Sequence, residues 1–344
     1  MRSLFDCPAT EIEPTDGVQG ASTPNVYYRP GFGGSTPVEP SLRLPVWLEI
    51  VPVLMRTINA RHVSLAAHSC GVIYALNTIY SMPWILPPSN RKLYLFSPWV
   101  PPEHSGVTLL SMASYLPSTL INSFDSVVHF VNSTVMPTVQ LSGLISGAVS
   151  AHFSKTRRDD STFQKHERDD LCLEYCGVSA AEVAARIKVL MRCLFSENIS
   201  GSNHEALLLL KKNVAGSWGP CDNYETYADA LETKLQEYYQ HAEREEDRSA
   251  YASAATAESN AQSNQDQFVL KVFWAEKDTL VGKKGEEYFE KCFQRYTGDR
   301  QSSKDEHKSC ISYESETVPE TDHDTLFLPQ YGALSMILDE IRRK

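Results

Sequence analysis

The chain has 344 residues, enough for one large α/β domain with insertions or for two ordinary domains. Its 42% hydrophobic content can supply a real core, and its net charge of −11 argues against nucleic acid or anionic membrane surfaces as main partners.

Residues 1–24, rich in Pro, Thr, Gly and acidic side chains, show no periodicity and read as disordered or extended. They hold no apolar run of the secretory-signal kind. Asn25–Tyr28 is a short strand-like run leading into Arg29-Pro30-Gly31-Phe32-Gly33-Gly34-Ser35, a tight loop at a strand end. Helical spacing of Val46, Ile50, Val53, Leu54 and Ile58 predicts a helix from Leu44 to Ile58.

The organising stretch follows. Val63–Ala67 is of strand type, His68-Ser69-Cys70 is polar, and a helical pattern begins at Gly71 and runs to about Met82. A strand that turns sharply into a helix lifts the turn residue onto an exposed tip, with unpaired N–H groups beneath it. Ala67-His68-Ser69-Cys70-Gly71 matches the nucleophile elbow, with Ala at its first small position. Taken alone, such a string also fits an ordinary strand–turn–helix corner.

Lys92–Phe96 is the next strand, and the strand–helix alternation predicts a parallel sheet with right-handed crossovers. The alternation then stops. Residues 105–154 carry one formal charge, Asp125, in short apolar groups broken by Pro117, Pro137, Gly143 and Gly147. No run of about 18 residues is continuously apolar, so helices of a cap over a site are expected in preference to a membrane span. An apolar cap suggests an apolar substrate or a membrane-facing lid. Asn132 and Asn198 sit in glycosylation strings, which often arise by chance.

Residues 155–170 read as a charged, solvated linker. Ser179-Ala180-Ala181-Glu182 is a capping box opening a helix with Val183, Ile187, Leu190 and Leu194 on one face. Asp222–Glu225 opens another, with Tyr227, Leu231, Leu235 and Tyr238 as its stripe. Residues 240–267 lose apolar content and read as a helix fraying into a disordered insertion. Phe268–Trp274 is a strand, Glu286–Tyr296 a helix, Ser309–Tyr313 a last strand, and a final helix carries Tyr331, Leu334, Ile337, Leu338 and Ile341. The implied organisation is core over 25–103, cap over 104–216 and core again over 217–344.

Eight cysteines at 7, 70, 172, 176, 193, 221, 292 and 310 show no paired ligand spacing, which suits reduced thiols and a cytoplasmic setting. Ser69 needs a base to take its proton, and the usual base is a histidine oriented by a carboxylate. Both belong in loops at the carboxyl ends of parallel strands. Of the ten histidines, only His323 follows the last strand and precedes the last helix. His68 lies within the elbow and is expected to shape the turn, His104 precedes the cap, and His307 lies in a polar loop. Asp278 is the favoured acid, with Glu276 and Asp322 competing for the role.

With Ser69, Asp278 and His323 in that order, the chain resembles the serine-hydrolase branch of the α/β-hydrolase superfamily. The matching pieces are the loop Arg29–Ser35 with Gly31 and Gly33, the elbow 67–71, the acid loop 275–281 and the histidine loop 322–324. The resemblance covers roughly residues 25–103 and 217–344, and the cap matches no named pattern. It implies an α/β fold, a mostly parallel sheet flanked by helices, with a helical cap after the strand that follows the elbow. It also implies hydrolysis of an ester or related acyl bond, with the Cys70 N–H as oxyanion donor and no metal or organic cofactor. A serine at the elbow speaks against the epoxide hydrolase and dehalogenase branches, which use aspartate there.

The chain departs from the family in one respect. Members carry about three strands before this loop, one of them between the Arg-Pro-Gly-Phe-Gly strand and the elbow strand, and a His-Gly type segment that gives a second oxyanion N–H. Only 28 residues precede Arg29, and none forms an apolar strand. The sequence is then that of an incomplete hydrolase or of a shortened, non-catalytic relative. The implied partner is a small apolar acyl substrate, with membrane association through the cap the less favoured alternative.

Overall fold

Strands form where apolar and β-branched residues run without a helical period, and among the described residues four such runs build the sheet. In this computed structural model they are β1 (Leu65–His68), β2 (Lys92–Phe96), β3 (Phe268–Ala275) and β4 (Ile311–Val318). The structure describes residues 29–121, 161–196, 200–212, 218–252, 267–297 and 309–342. All pairings are parallel, in the order β1-β2-β3-β4, with Leu65 opposite Leu93, Leu93 opposite Leu270, and Leu270 opposite Tyr313.

Helices in chain order are α1 (Arg43–Thr57), α2 (Gly71–Ser81), α3 (Pro102–Ser105), α4 (Thr108–Tyr115), α5 (Ser118–Ile121), α6 (Ser161–Cys176), α7 (Ala180–Ser196), α8 (Gly201–Leu209), α9 (Tyr224–Ala252), α10 (Lys283–Phe293) and α11 (Ala333–Arg342). The period of two along a strand sends alternate side chains to opposite faces. Leu93, Leu95, Leu270, Val272, Trp274, Ile311 and Tyr313 face a large core shared with α1, α2, α9 and α10. Tyr94, Phe96, Phe273, Ala275 and Val318 face a smaller core closed by Ala333 and Ile337 of α11. Lys92, Lys271 and the Tyr94 hydroxyl all converge on Glu340 at that face. Both faces of β2 and β3 are therefore covered, as a parallel sheet requires.

The predicted stripe of α9 is buried at Tyr227, Leu231 and Leu235, and the Asn223 side chain caps its first turn through the Glu225 and Thr226 N–H groups. Two expectations fail. Residues 161–170, read as a linker, begin α6, in which Gln164, Lys165, Glu167 and Arg168 are of helix-favouring type. Helix α9 also continues past Gln240 to Ala252, again through strong helix formers such as Ala, Glu and Arg. The last strand runs on to Val318, well past Tyr313. The strand-like run 25–28, residues 122–154 of the apolar stretch, the remainder of the insertion (253–266) and both glycosylation asparagines, Asn132 and Asn198, lie outside the described residues.

Among the described residues β1 has a strand on one side only, and Ala66 in it is exposed. Within the described sheet the elbow thus grows from an edge strand. No helix among the described residues is long and apolar enough to cross a membrane.

Candidate active site

Because every strand is parallel, the loops after β1, β3 and β4 emerge at one end of the sheet. Ser69 follows β1 directly with φ 53°, a left-handed conformation that a non-glycine residue adopts only when its surroundings hold it there. Three bonds fix the turn. Its N–H donates to the Phe96 carbonyl (2.9 Å), while its own carbonyl accepts from Val72 N–H (3.1 Å) and Trp99 N–H (3.4 Å). Helix α2 starts two residues later. Cys70 at its N-cap position offers one of the first-turn N–H groups that a helix cannot satisfy internally.

The loop after β4 carries His323, only 3% exposed, and its Nε2 lies 2.8 Å from Ser69 Oγ. Its Nδ1 lies 2.8 Å from Oδ2 of Asp278 in the loop after β3. The other Asp278 oxygen, Oδ1, accepts from the Leu280 and Val281 N–H groups at 2.9 and 2.8 Å. Burial alone would raise the Asp278 carboxyl. The His323 hydrogen bond and charge, with the Val281 N–H, outweigh it and hold the group down at about 2. The Ser97 hydroxyl faces the same carboxylate without forming a well-aligned bond.

The competing acids go elsewhere. Glu276 accepts from the Glu320 N–H at 2.8 Å. Asp322 closes its own turn, accepting from the Thr325 N–H at 2.9 Å and the Thr325 hydroxyl at 2.8 Å. His104 stacks on Tyr288 with centroids 3.7 Å apart, and His307 lies outside the described residues.

The glycines differ in what they permit. Gly31 (φ 81°) packs so closely on the start of α8 that a Cβ there would meet Gly201 Cα at 2.6 Å. Gly33 is also left-handed, at φ 54°. At Gly71 a Cβ would meet only the Ala67 Cβ at 3.9 Å, so the elbow accommodates Ala at its first small position without strain.

Two features carry no signature in the sequence. Glu205 of α8 is 5% exposed and pairs with both Arg29 and Arg43, while the Tyr74 hydroxyl donates to it at 3.0 Å. Arg29 also reaches Cys70 Sγ at 3.6 Å, tying this cluster to the residue after the serine. Burial pushes the Cys70 thiol up more than the guanidinium pulls it down, so it stays protonated beside Ser69 near neutrality. The second is Ser97, whose φ of 40° at the end of β2 only the tertiary structure reveals.

Among the described residues no group of three or more His, Cys, Asp or Glu side chains is arranged to hold a metal ion. A shallow concavity of about 470 Å³ lined by Glu225, Lys291, Cys292, Gln294 and Arg295 shares no residue with the Ser69 constellation.

The parallel sheet, with the loops of Ser69, Asp278 and His323 at its carboxyl end in that chain order, matches the α/β-hydrolase fold expected from the sequence. No family model and no curated protein matches the chain. Among solved structures it is similar to an epoxide hydrolase of Bacillus megaterium at 9% identity and a TM-score of 0.39, covering 92% of this chain and 82% of that one. A carboxylesterase structure from Nitrososphaera gargenis gives 7% identity and a TM-score of 0.40, covering 91% and 78%. A thioesterase domain from the curacin biosynthetic pathway gives 10% identity and a TM-score of 0.36, covering 90% and 78%.

Proposed function

We propose that this chain is a serine hydrolase that cleaves a carboxylic ester or related acyl bond. The reading rests on one observation, the continuous path Asp278 Oδ2, His323 Nδ1, His323 Nε2, Ser69 Oγ with both gaps at 2.8 Å. Ser69 Oγ attacks the acyl carbon as His323 Nε2 takes its proton, and the carbonyl electron pair moves onto oxygen. The Cys70 N–H donates to that oxyanion. As the carbonyl re-forms, the bond to the leaving group breaks and His323 hands its proton to the departing oxygen. Water, deprotonated by the same imidazole, then releases the acid and restores Ser69. Asp278 stays ionised throughout and stabilises the transient imidazolium.

An apolar acyl group is the proposed substrate class, because residues 105–154 carry a single formal charge. A cytoplasmic setting belongs to the same proposal. It is supported by the cysteines at 70, 172, 176, 193, 221, 292 and 310, all of them free.

One observation favours a second reading, a non-catalytic hydrolase-like protein. The strand that carries Ser69 lies at a sheet edge among the described residues, which leaves the elbow less braced than a central strand would. Labelling with a fluorophosphonate separates the two. The hydrolase reading expects covalent label on the wild-type chain and none on Ser69→Ala. A folded wild-type chain that stays unlabelled supports the alternative.

A further inference from the structure

The side chain of His68 leaves its own turn. Its Nε2 lies 2.7 Å from the main-chain carbonyl oxygen of His323, 255 residues later. A carbonyl only accepts, so His68 donates from Nε2, which fixes its tautomer when the ring is neutral. The ring also packs against two others, with centroids 4.8 Å from His323 and 4.9 Å from Phe327. Other bonds secure the flanks of the His323 loop. Thr321 accepts from the Lys277 N–H at 2.9 Å, and Asp322 closes the turn that follows.

We propose that His68 is a positioning residue for the base, clasping the His323 main chain so that this imidazole stays aimed at Ser69. The inference rests on the serine-hydrolase reading. It assigns to the residue before the nucleophile a role that is neither contact with substrate nor local shaping of the elbow. Asp278 fixes the ring of His323 through Nδ1, and the clasp fixes the backbone from which that ring hangs. Two anchors on different atoms leave the imidazole little freedom to swing away from Ser69 Oγ. A misplacement of about 1 Å in such a base can cost on the order of 100-fold in rate.

The clasp must also leave the base free to take a charge. The titratable groups facing His68 are His323 and Asp278. Burial, with a smaller contribution from His323, pushes the His68 imidazole down to about 4. A neutral His68 keeps a second positive charge away from the imidazolium formed on His323 during turnover.

The test uses the full chain and two readouts, the second-order rate of fluorophosphonate labelling across pH and the downfield proton resonance shared by His323 Nδ1 and Asp278. His68→Phe keeps an aromatic ring but removes the donor. His68→Gln places an amide N–H near the position of Nε2. Expected is labelling slowed about 10- to 100-fold in His68→Phe, a displaced pH profile and a weakened resonance. His68→Gln is expected to recover most of each. Wild-type labelling rate and profile in His68→Phe would overturn the inference, as would His68→Gln as slow as His68→Phe when both melt like the wild type. If the wild-type chain takes no label, the hydrolase reading fails, and the resonance alone decides the clasp: a signal unchanged in His68→Phe overturns it.

Discussion

Nδ1 of His323 and Oδ2 of Asp278 stand 2.8 Å apart across 45 residues of chain, and that contact sets which nitrogen of His323 faces Ser69. With the Nδ1 proton donated to Asp278, Nε2 is left as the acceptor for the serine proton. Asp278→Asn keeps the shape but offers an N–H where an acceptor is needed, which favours the wrong tautomer. Turnover of an activated ester should fall by about 10³- to 10⁴-fold with little change in substrate affinity, checked by steady-state kinetics.

Stability should weaken on the acid side through His68. Burial holds its imidazole down at about 4 in the folded chain, below the ordinary 6.5, so the unfolded chain takes up the proton first as pH falls. The stabilisation is complete above pH 6.5, is lost progressively as pH falls toward 4, and amounts to about 3 kcal/mol at most. Urea unfolding at pH 7 and pH 4.5 should show a smaller difference for His68→Gln than for the wild type. An equal difference in the two would remove His68 from the acid response.

Glu205→Gln should destabilise the fold by about 3–5 kcal/mol, because it leaves Arg29 and the fully buried Arg43 without their shared counter-charge. Thermal unfolding reads this directly. A melting temperature within a degree of wild type would mean the two guanidinium groups are satisfied without Glu205.

The glycines of the loop and the elbow should respond in opposite ways. Gly31→Ala meets the Gly201 backbone at 2.6 Å and carries a left-handed φ, so neither a rotamer change nor a side-chain shift relieves it. Gly71→Ala meets only a methyl at 3.9 Å within a helical turn, and its stability should stay within about 1 kcal/mol of wild type. Denaturant midpoints for the pair check both. Equal losses would mean that the elbow is tighter than its geometry indicates.

Core packing is testable at Phe289, fully buried on α10 against Trp274, Tyr224 and Phe293. Phe289→Ala should cost about 3–5 kcal/mol by chemical denaturation, since a rigid aromatic cluster cannot collapse into the space left.

The sequence by itself determined the α/β class, the four apolar strands and the loops that carry Ser69, Asp278 and His323. Those features are local: a strand run, a following turn and a helical period are written in neighbouring residues. It also marked Gly31, whose turn chemistry needs no distant partner. Helix α6 and the length of α9 were missed because an exposed charged helix and a solvated linker share a composition, and packing beyond the segment selects between them. The choice of Asp278 over Glu276 and Asp322 stayed open in sequence, since all three follow strand ends. Only the folded loops send one carboxylate to His323, Glu276 to the Glu320 N–H of the neighbouring loop, and Asp322 to its own turn. The Arg29–Glu205–Arg43 cluster and the clasp of His68 on His323 were likewise decided by tertiary structure. Both join residues more than 160 positions apart, and such contacts leave no periodic or spacing signal in a single chain.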